Sequence, residues 1–123
     1  MERVIKHLII CILVLASSTL SSTIMAQTIK PLSGTKGAST INKGVKHFNQ
    51  GQLNHALTHF QQALKKNPRS AVAHYNMALT FNRMGQSDKA TKHFQQASKL
   101  GQMNSFIRNS RILQQHLLAS EHK

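Results

Sequence analysis

Histidines are the side chains of this 123-residue chain that come closest to forming a chemical site. His55 and His59 are four residues apart, so a helix would present both on one face, where they could bind the same metal ion. The other ligands that a metal needs are scarce, since the chain has one cysteine and three acidic residues. We therefore expect no metal site, and we interpret the two histidines as solvated polar residues of a helix.

Acid and base catalysis has equally little support. Such catalysis usually needs a carboxylate, a histidine or a cysteine that is held by an orienting partner. The acidic residues are Glu2, Asp88 and Glu121, and the cysteine is Cys11. No orienting arrangement can be named for them, and no glycine-rich phosphate loop follows a predicted strand. The sequence therefore predicts a non-enzymatic protein without a cofactor.

Residues 1–26 have the three parts of an export signal. Arg3 and Lys6 supply the positive start, residues 8–16 form an apolar run, and Ala26 ends a cleavage site. Residues 16–18 offer a second site for cleavage, and the apolar run is short for a membrane span. We expect an exported protein, periplasmic or secreted. The alternative is an uncleaved signal that anchors the chain in the inner membrane.

The chain is strongly basic, with a formal net charge of +13 that is spread without a long basic run. A charge of this size favours contact with something anionic, such as an acidic protein, a lipid headgroup, a polysaccharide or a nucleic acid. The alternative is that the proteins of the source organism are basic in general. Nucleic acid has the least support, because the basic residues are scattered, the signal indicates export, and no aromatic platform for stacking bases is present.

The rest of the sequence is punctuated in a way that predicts helices. Residues 27–37 contain one proline and two glycines without apolar periodicity, which is typical of a flexible linker. Beyond the linker, apolar residues recur at spacings of three and four between breaks at glycine or proline. The predicted helices cover about residues 39–49, 54–66, 71–84, 88–100 and 104–120. With 5% aromatic residues and no tryptophan, a core of Ala, Leu, Phe and Met favours an all-α domain over residues 38–120.

One string within these helices occurs twice. Residues 56–63 return 34 positions later as residues 90–97, and both copies contain His-Phe-Gln-Gln-Ala. A fixed period of this length indicates a repeated supersecondary unit made of two helices.

The repeated residues resemble the tetratricopeptide repeat (TPR). Residues 37–68 look like one repeat, residues 71–102 like a second, and residues 104–120 like the helix that caps the array. The positions that match the family pattern are Gly44, Gly51, Ala56, Phe60, Ala63, Pro68, Ala78, Gly85, Ala90, Phe94 and Ala97. The resemblance implies a right-handed superhelical α-solenoid of about five helices. Because two repeats are few for a stable array, we also expect self-association or docking on a partner.

The resemblance further implies that the first helix of each repeat lines a concave groove for an extended peptide or a partner's helix. Carried over by position, the groove residues are Ile41, Val45, Phe48, Asn49, Val72, Tyr75, Leu79, Asn82 and Arg83. The alternative for Ile41, Val45 and Leu79 is that they pack between the repeats. Asn42 and Asn76 recur at the same position, but asparagine is common there in the family and indicates little about a ligand.

These patterns together favour a small adaptor of the cell envelope that binds a protein or peptide partner in the groove. The alternative is a basic protein that binds an anionic surface, namely a lipid headgroup, lipopolysaccharide or another polyanion. Steep loss of binding between low and high salt would favour the second function over the first.

Overall fold

The structure, a computed structural model, describes residues 27–31 and 33–122, so the predicted export signal lies outside the described residues. This part of the chain contains six helices and no strand. They are α1 (Ala38–Asn49), α2 (Leu53–Lys66), α3 (Ala71–Arg83), α4 (Ser87–Leu100), α5 (Ser105–Arg108) and α6 (Arg111–Glu121). The predicted all-α fold is confirmed. None of these six helices is long and apolar enough to cross a membrane.

The helices pack as two hairpins, α1 with α2 and α3 with α4, and α2 also packs against α3. The repeated string forms the interior of each hairpin, since Phe60 and Phe94 are both fully buried. The alanines that flank the two rings are equally buried at positions 56, 63, 90 and 97. Small side chains let the helix backbones approach one another, and each ring fills the space that is left. The repeated string is therefore the framework of the fold.

Each hairpin turns at a glycine in the left-handed conformation. Gly51 has φ 75° and Gly85 has φ 74°, a region that favours glycine. The Gln52 N–H donates to the His47 carbonyl at 2.9 Å, and the Gly51 N–H donates to the Phe48 carbonyl at 3.0 Å. These two bonds form a Schellman motif, which satisfies carbonyls that the end of α1 would otherwise leave free.

The two helices of the second repeat begin differently, since α3 has a serine cap and α4 has none. The Ser70 hydroxyl accepts from the Ala73 N–H at 3.2 Å and so caps the start of α3. Ser87 does not cap α4 in the same way, because it is the first residue of that helix. Gln86 precedes it without a side-chain capping bond.

The predicted helix over residues 104–120 is wrong, because α5 and α6 replace it with a break at Asn109 and Ser110. Ile107 and Leu113 are both buried, yet in one helix residues six apart point about 120° away from each other. The break turns both side chains inward. Ser110 stabilises it, since its hydroxyl accepts from the Leu113 N–H at 3.5 Å and hydrogen-bonds with the Tyr75 hydroxyl at 2.8 Å. The helix α6 packs against α4 and closes the end of the array.

Candidate functional site

Residues 27–31, which we call the N-terminal strap, lie against α3 as a segment without helix. The Ile29 N–H donates to Asn76 Oδ1 at 2.9 Å, and Asn76 Nδ2 donates to the Ile29 carbonyl at 2.8 Å. The Ile29 side chain packs against the hydrophobic core. One side-chain amide thus makes two hydrogen bonds to the main chain of a segment 47 residues away in sequence.

This docking differs from the expectation that residues 27–37 form a flexible linker. The expectation rested on composition, since a stretch with one proline, two glycines and no apolar periodicity buries little apolar surface. The segment is held instead by hydrogen bonds to Asn76. A buried amide needs partners, and the Ile29 main chain provides them.

Asn76 is positioned for this role by the middle of α3. Its side chain is fully buried, and its own carbonyl accepts a hydrogen bond from the buried Thr80 hydroxyl at 2.7 Å. A buried amide without partners would cost roughly 1–3 kcal/mol, so the Ile29 main chain stabilises the fold by satisfying it. Both bonds involve only main-chain atoms of the strap. The amide therefore recognises an extended backbone and not a particular side chain.

A cavity of about 560 Å³ lies beside the strap on α1. It is lined by Lys30, Asn42, Val45, Lys46, Asn49 and Gln50. Asn42 precedes Asn76 by one repeat period, and it is exposed where Asn76 is buried. The surface shared by α1 and α3, which we call the groove, therefore presents one amide that holds a backbone and one that is open.

The apolar residues predicted to line the groove lie largely in the core. The exposed fraction is 1% for Ile41, 3% for Val45 and 2% for Leu79. Phe48 and Tyr75 are buried too. With the strap in place, these side chains pack inside the array, and only Val45 also reaches the cavity. Packing of this kind is the alternative given above for Ile41, Val45 and Leu79.

Tyr75 is held from several sides. Its ring meets Phe94 and Phe106 edge-on, with centroids 5.7 and 6.1 Å apart. Burial raises the pKa of its hydroxyl, which the bond with Ser110 opposes. Tyr75 therefore joins α3 to the C-terminal helices and does not reach into open solvent.

Two of the three polar residues predicted for the groove, Asn82 and Arg83, have partners within the chain. Arg83 Nη1 donates to the Phe48 carbonyl at 3.1 Å, and its guanidinium lies 5.2 Å from the centre of the Phe48 ring. Asn82 Oδ1 accepts from His116 Nε2 at 2.9 Å. Asn49 is exposed at the cavity, and Val72 is half-buried. Arg83 and Asn82 thus join helices, and only Asn49 and Val45 of the predicted set line the cavity.

The histidines of the first repeat gather into a stack. The His47 ring centre lies 5.1 Å from that of His59 and 5.5 Å from that of His55. Stacked rings do not direct their nitrogens at one point, and no group of three or more His, Cys, Asp or Glu side chains in the described residues could hold a metal ion. Burial, with the nearby charges of His47 and Lys43, lowers the pKa of His59. The His59 ring of this stack therefore resists protonation.

The sequence alone does not predict the contact between Ile29 and Asn76 that docks the strap. The available signals were the recurrence of asparagine at positions 42 and 76 and the single apolar residue between Thr28 and Lys30. Neither signal specifies a contact across 47 residues, which only the folded array brings about.

Comparison with known protein families agrees with the hairpin architecture. Residues 44–85 match a family model described as the TPR repeat. The match begins at Gly44, includes all of α2 and α3, and ends at the Gly85 turn. No curated protein matches the chain.

Proposed function

Because the chain belongs to the tetratricopeptide-repeat family, we propose that it is a non-enzymatic adaptor that binds an extended segment of a partner protein in the groove. Repeats of this family generally mediate protein–protein interaction, and stacked repeats create extended surfaces suited to it. The observation that carries the proposal is the pair of hydrogen bonds between the Asn76 amide and the main chain of Ile29. The groove already holds one extended segment by its backbone.

The chemistry of the groove indicates what the partner segment looks like. Backbone pairing supplies affinity without regard to sequence, so selectivity comes from the side chains beside it. The cavity next to the strap is lined by Lys46 together with the amides of Asn42 and Asn49. An acidic residue of the partner would be favoured there, because Lys46 offers it a positive charge and the amides offer donors.

Matched substitutions on two faces test the proposal. Asn42→Asp replaces an exposed amide in the groove by a carboxylate, and Gln61→Glu does the same on the exposed face of α2. Each variant is made in the tagged full-length chain and incubated with an envelope extract. The Gln61→Glu variant should retain the partner, whereas the Asn42→Asp variant should bind it with at least tenfold lower affinity. Equal capture by both variants would mean that the partner binds elsewhere.

The cell envelope is the setting that the proposal assigns to this adaptor. It is supported by the positive start, the apolar run and Ala26 in residues 1–26. Intact-mass measurement of the protein from its own cells tests it. The expected mass corresponds to a chain that begins at Gln27, whereas a full-length chain in the membrane fraction would support the uncleaved anchor.

A second candidate function is binding to an anionic surface. Every lysine and arginine in residues 27–31 and 33–122 is exposed, and each of the six helices carries at least one. Flotation with vesicles that contain anionic lipid tests this candidate at low and high salt. Binding that falls steeply with salt and survives Asn42→Asp supports the surface function, because charge then acts without the groove.

A further inference from the structure

We propose that the N-terminal strap is a built-in competitor, which fills the groove at Asn76 until an extended segment of the partner displaces it. The inference rests on the proposed function and adds a regulatory step to the same site. A partner that uses the Asn76 amide must first remove Ile29, because Ile29 bonds both polar atoms of that amide and the Asn76 side chain is fully buried.

The strap binds in a way that another chain can copy. The Asn76 amide holds the N–H and the carbonyl of Ile29, groups that any residue except proline can supply. The Ile29 side chain adds apolar contact with the core. An incoming segment with an apolar residue at this point would reproduce both contributions.

The short connection to α1 keeps the strap close to the groove. Residues 33–37 form turns, with Gly34 and Gly37 in the left-handed conformation, and the Ala38 N–H donates to the Thr35 carbonyl at 2.9 Å. A tether of this length gives an effective concentration on the order of millimolar. The apparent affinity for a partner then equals the intrinsic affinity multiplied by the fraction of molecules in which the strap is displaced.

The strap is poorly matched to the groove at Lys30, so a partner segment with a more favourable residue there can displace it. Lys30 and Lys46 line the same cavity, so the residue after Ile29 brings a positive charge beside another one. A partner with aspartate or glutamate in place of Lys30 would replace repulsion by attraction. The competitor and its preferred replacement therefore differ by the charge at this position.

Hydrogen exchange of the Ile29 amide tests whether the strap is docked in solution. In the full-length chain we expect slow exchange, which becomes fast in Asn76→Ala and stays slow in Asn42→Ala. Because Asn76 is buried and its replacement could unfold the chain, the side-chain amide resonances of Asn76 provide a second measurement. They should shift in Ile29→Pro, which removes the N–H donor at a half-buried position outside the helices, and stay in place in Ile29→Val. An Ile29 amide that exchanges fast in the wild-type chain would overturn the proposal.

Two labelled peptides test the competition. The first, Gln-Thr-Ile-Lys-Pro, copies the strap, and the second, Gln-Thr-Ile-Glu-Pro, carries glutamate after isoleucine. Both should bind Ile29→Pro at least tenfold more tightly than the wild-type chain or Ile29→Val, and the glutamate peptide should bind more tightly than the lysine peptide. Adding Asn76→Ala to Ile29→Pro should abolish binding of both.

The other outcomes are distinguishable. Equal binding to the wild-type chain and Ile29→Pro would leave the peptide-binding function intact and overturn the competition. If Ile29 is protected but neither peptide binds Ile29→Pro, the groove is not a peptide site and the strap is only structural, so both proposals fail. Protection of Ile29 that appears only at high protein concentration would assign the strap to the groove of a second copy, which overturns an intramolecular competitor.

Discussion

Gly44 sets the separation of the two helices in the first repeat. A β-carbon built on Gly44 would lie 2.5 Å from Phe60 Cε1 and 2.7 Å from Cδ1, well inside van der Waals contact. The Phe60 ring is fully buried, so it has no free direction in which to move. The second repeat has Ala78, which carries a β-carbon, at the corresponding position.

Gly44→Ala should destabilise the protein although alanine favours helix. Overpacking a core costs about 1–3 kcal/mol, and alanine recovers about 1 kcal/mol relative to glycine within a helix. We expect a net loss of about 1 kcal/mol in the free energy of unfolding, measured by urea denaturation followed by circular dichroism. Ser39→Ala, an exposed change in the same helix, is the control and should leave the midpoint unchanged or slightly raised. An increase in stability for Gly44→Ala would show that the ring can yield.

At the scale of the element, the two turn glycines act through backbone conformation alone. No atom other than those of its chain neighbours lies within 4 Å of the β-carbon position of Gly51 or Gly85. A substitution there meets no obstacle in space, so its cost measures the left-handed φ by itself.

Gly85→Val should therefore lower the free energy of unfolding by about 1–2 kcal/mol, whereas Gly85→Asn should cost clearly less. Asparagine tolerates the left-handed region better than most residues, and a β-branched residue is a rare outlier there. Thermal unfolding of the two variants beside the wild-type chain checks the order. Equal losses for valine and asparagine would contradict the conformational explanation.

The junction between α5 and α6 depends on one hydroxyl pair. Ser110→Ala removes the 2.8 Å bond with the Tyr75 hydroxyl and the weaker 3.5 Å cap on the Leu113 N–H. We expect a loss of about 1–2 kcal/mol, since a capping serine and a half-buried hydrogen bond each contribute about 1 kcal/mol.

A double-mutant cycle with Tyr75→Phe separates the two contributions. The coupling energy between the two positions should be about 0.5–1.5 kcal/mol, because Tyr75→Phe removes the hydroxyl bond and leaves the cap. Additive losses in the cycle would mean that the two hydroxyls do not interact in solution.

The elements that local punctuation determines are those that the sequence predicts well. The helices α1 to α4 begin and end within one residue of the predicted bounds, because each boundary is a glycine, a proline or a cap read from neighbouring residues. The break at Ser110 was missed because it depends on Tyr75, 35 residues away. The strap was missed for the same reason, since Ile29 and Asn76 are 47 residues apart. Tertiary contacts of this kind leave no periodic trace in the sequence.

At the scale of the whole molecule, neutral histidines connect the packed helices. His74 Nδ1 and His93 Nδ1 lie 3.1 Å apart, and His74 Nε2 lies 3.2 Å from the Pro68 carbonyl. Both hydrogen bonds form when His74 donates to the carbonyl through Nε2 and accepts from His93 through Nδ1. In this arrangement both rings are neutral. His116 is similar, since its ring nitrogens bond Thr91 and Asn82 and so link α4, α3 and α6.

Burial lowers the pKa of His74, His93 and His116, and the charge of His74 lowers the pKa of His93 further. Lys89 lies near Phe81, on which the His93 ring stacks, and Asp88 lines the same cavity as His116. In the unfolded chain these histidines take up protons near the ordinary pKa of 6.5. In the folded chain they take them up only at lower pH, so below about pH 6.5 the unfolded state binds more protons than the folded state, and stability rises with pH.

The wild-type chain should therefore unfold at progressively lower temperature as the pH falls from 7.5 to 5, with the loss beginning near pH 6.5. The chain has only three acidic residues, so protonation of carboxylates contributes little in that range and histidine dominates.

His74→Gln combined with His93→Gln should reduce this dependence, because two of the groups that resist protonation are gone. His122→Gln, at the exposed C-terminal end, is the matched control and should retain the full dependence. Thermal unfolding at pH 5.5 and 7.5 measures the difference for each variant. A wild-type midpoint that is the same at both values, or a double variant that follows the wild-type curve, would mean that the neutral pair does not stabilise the array.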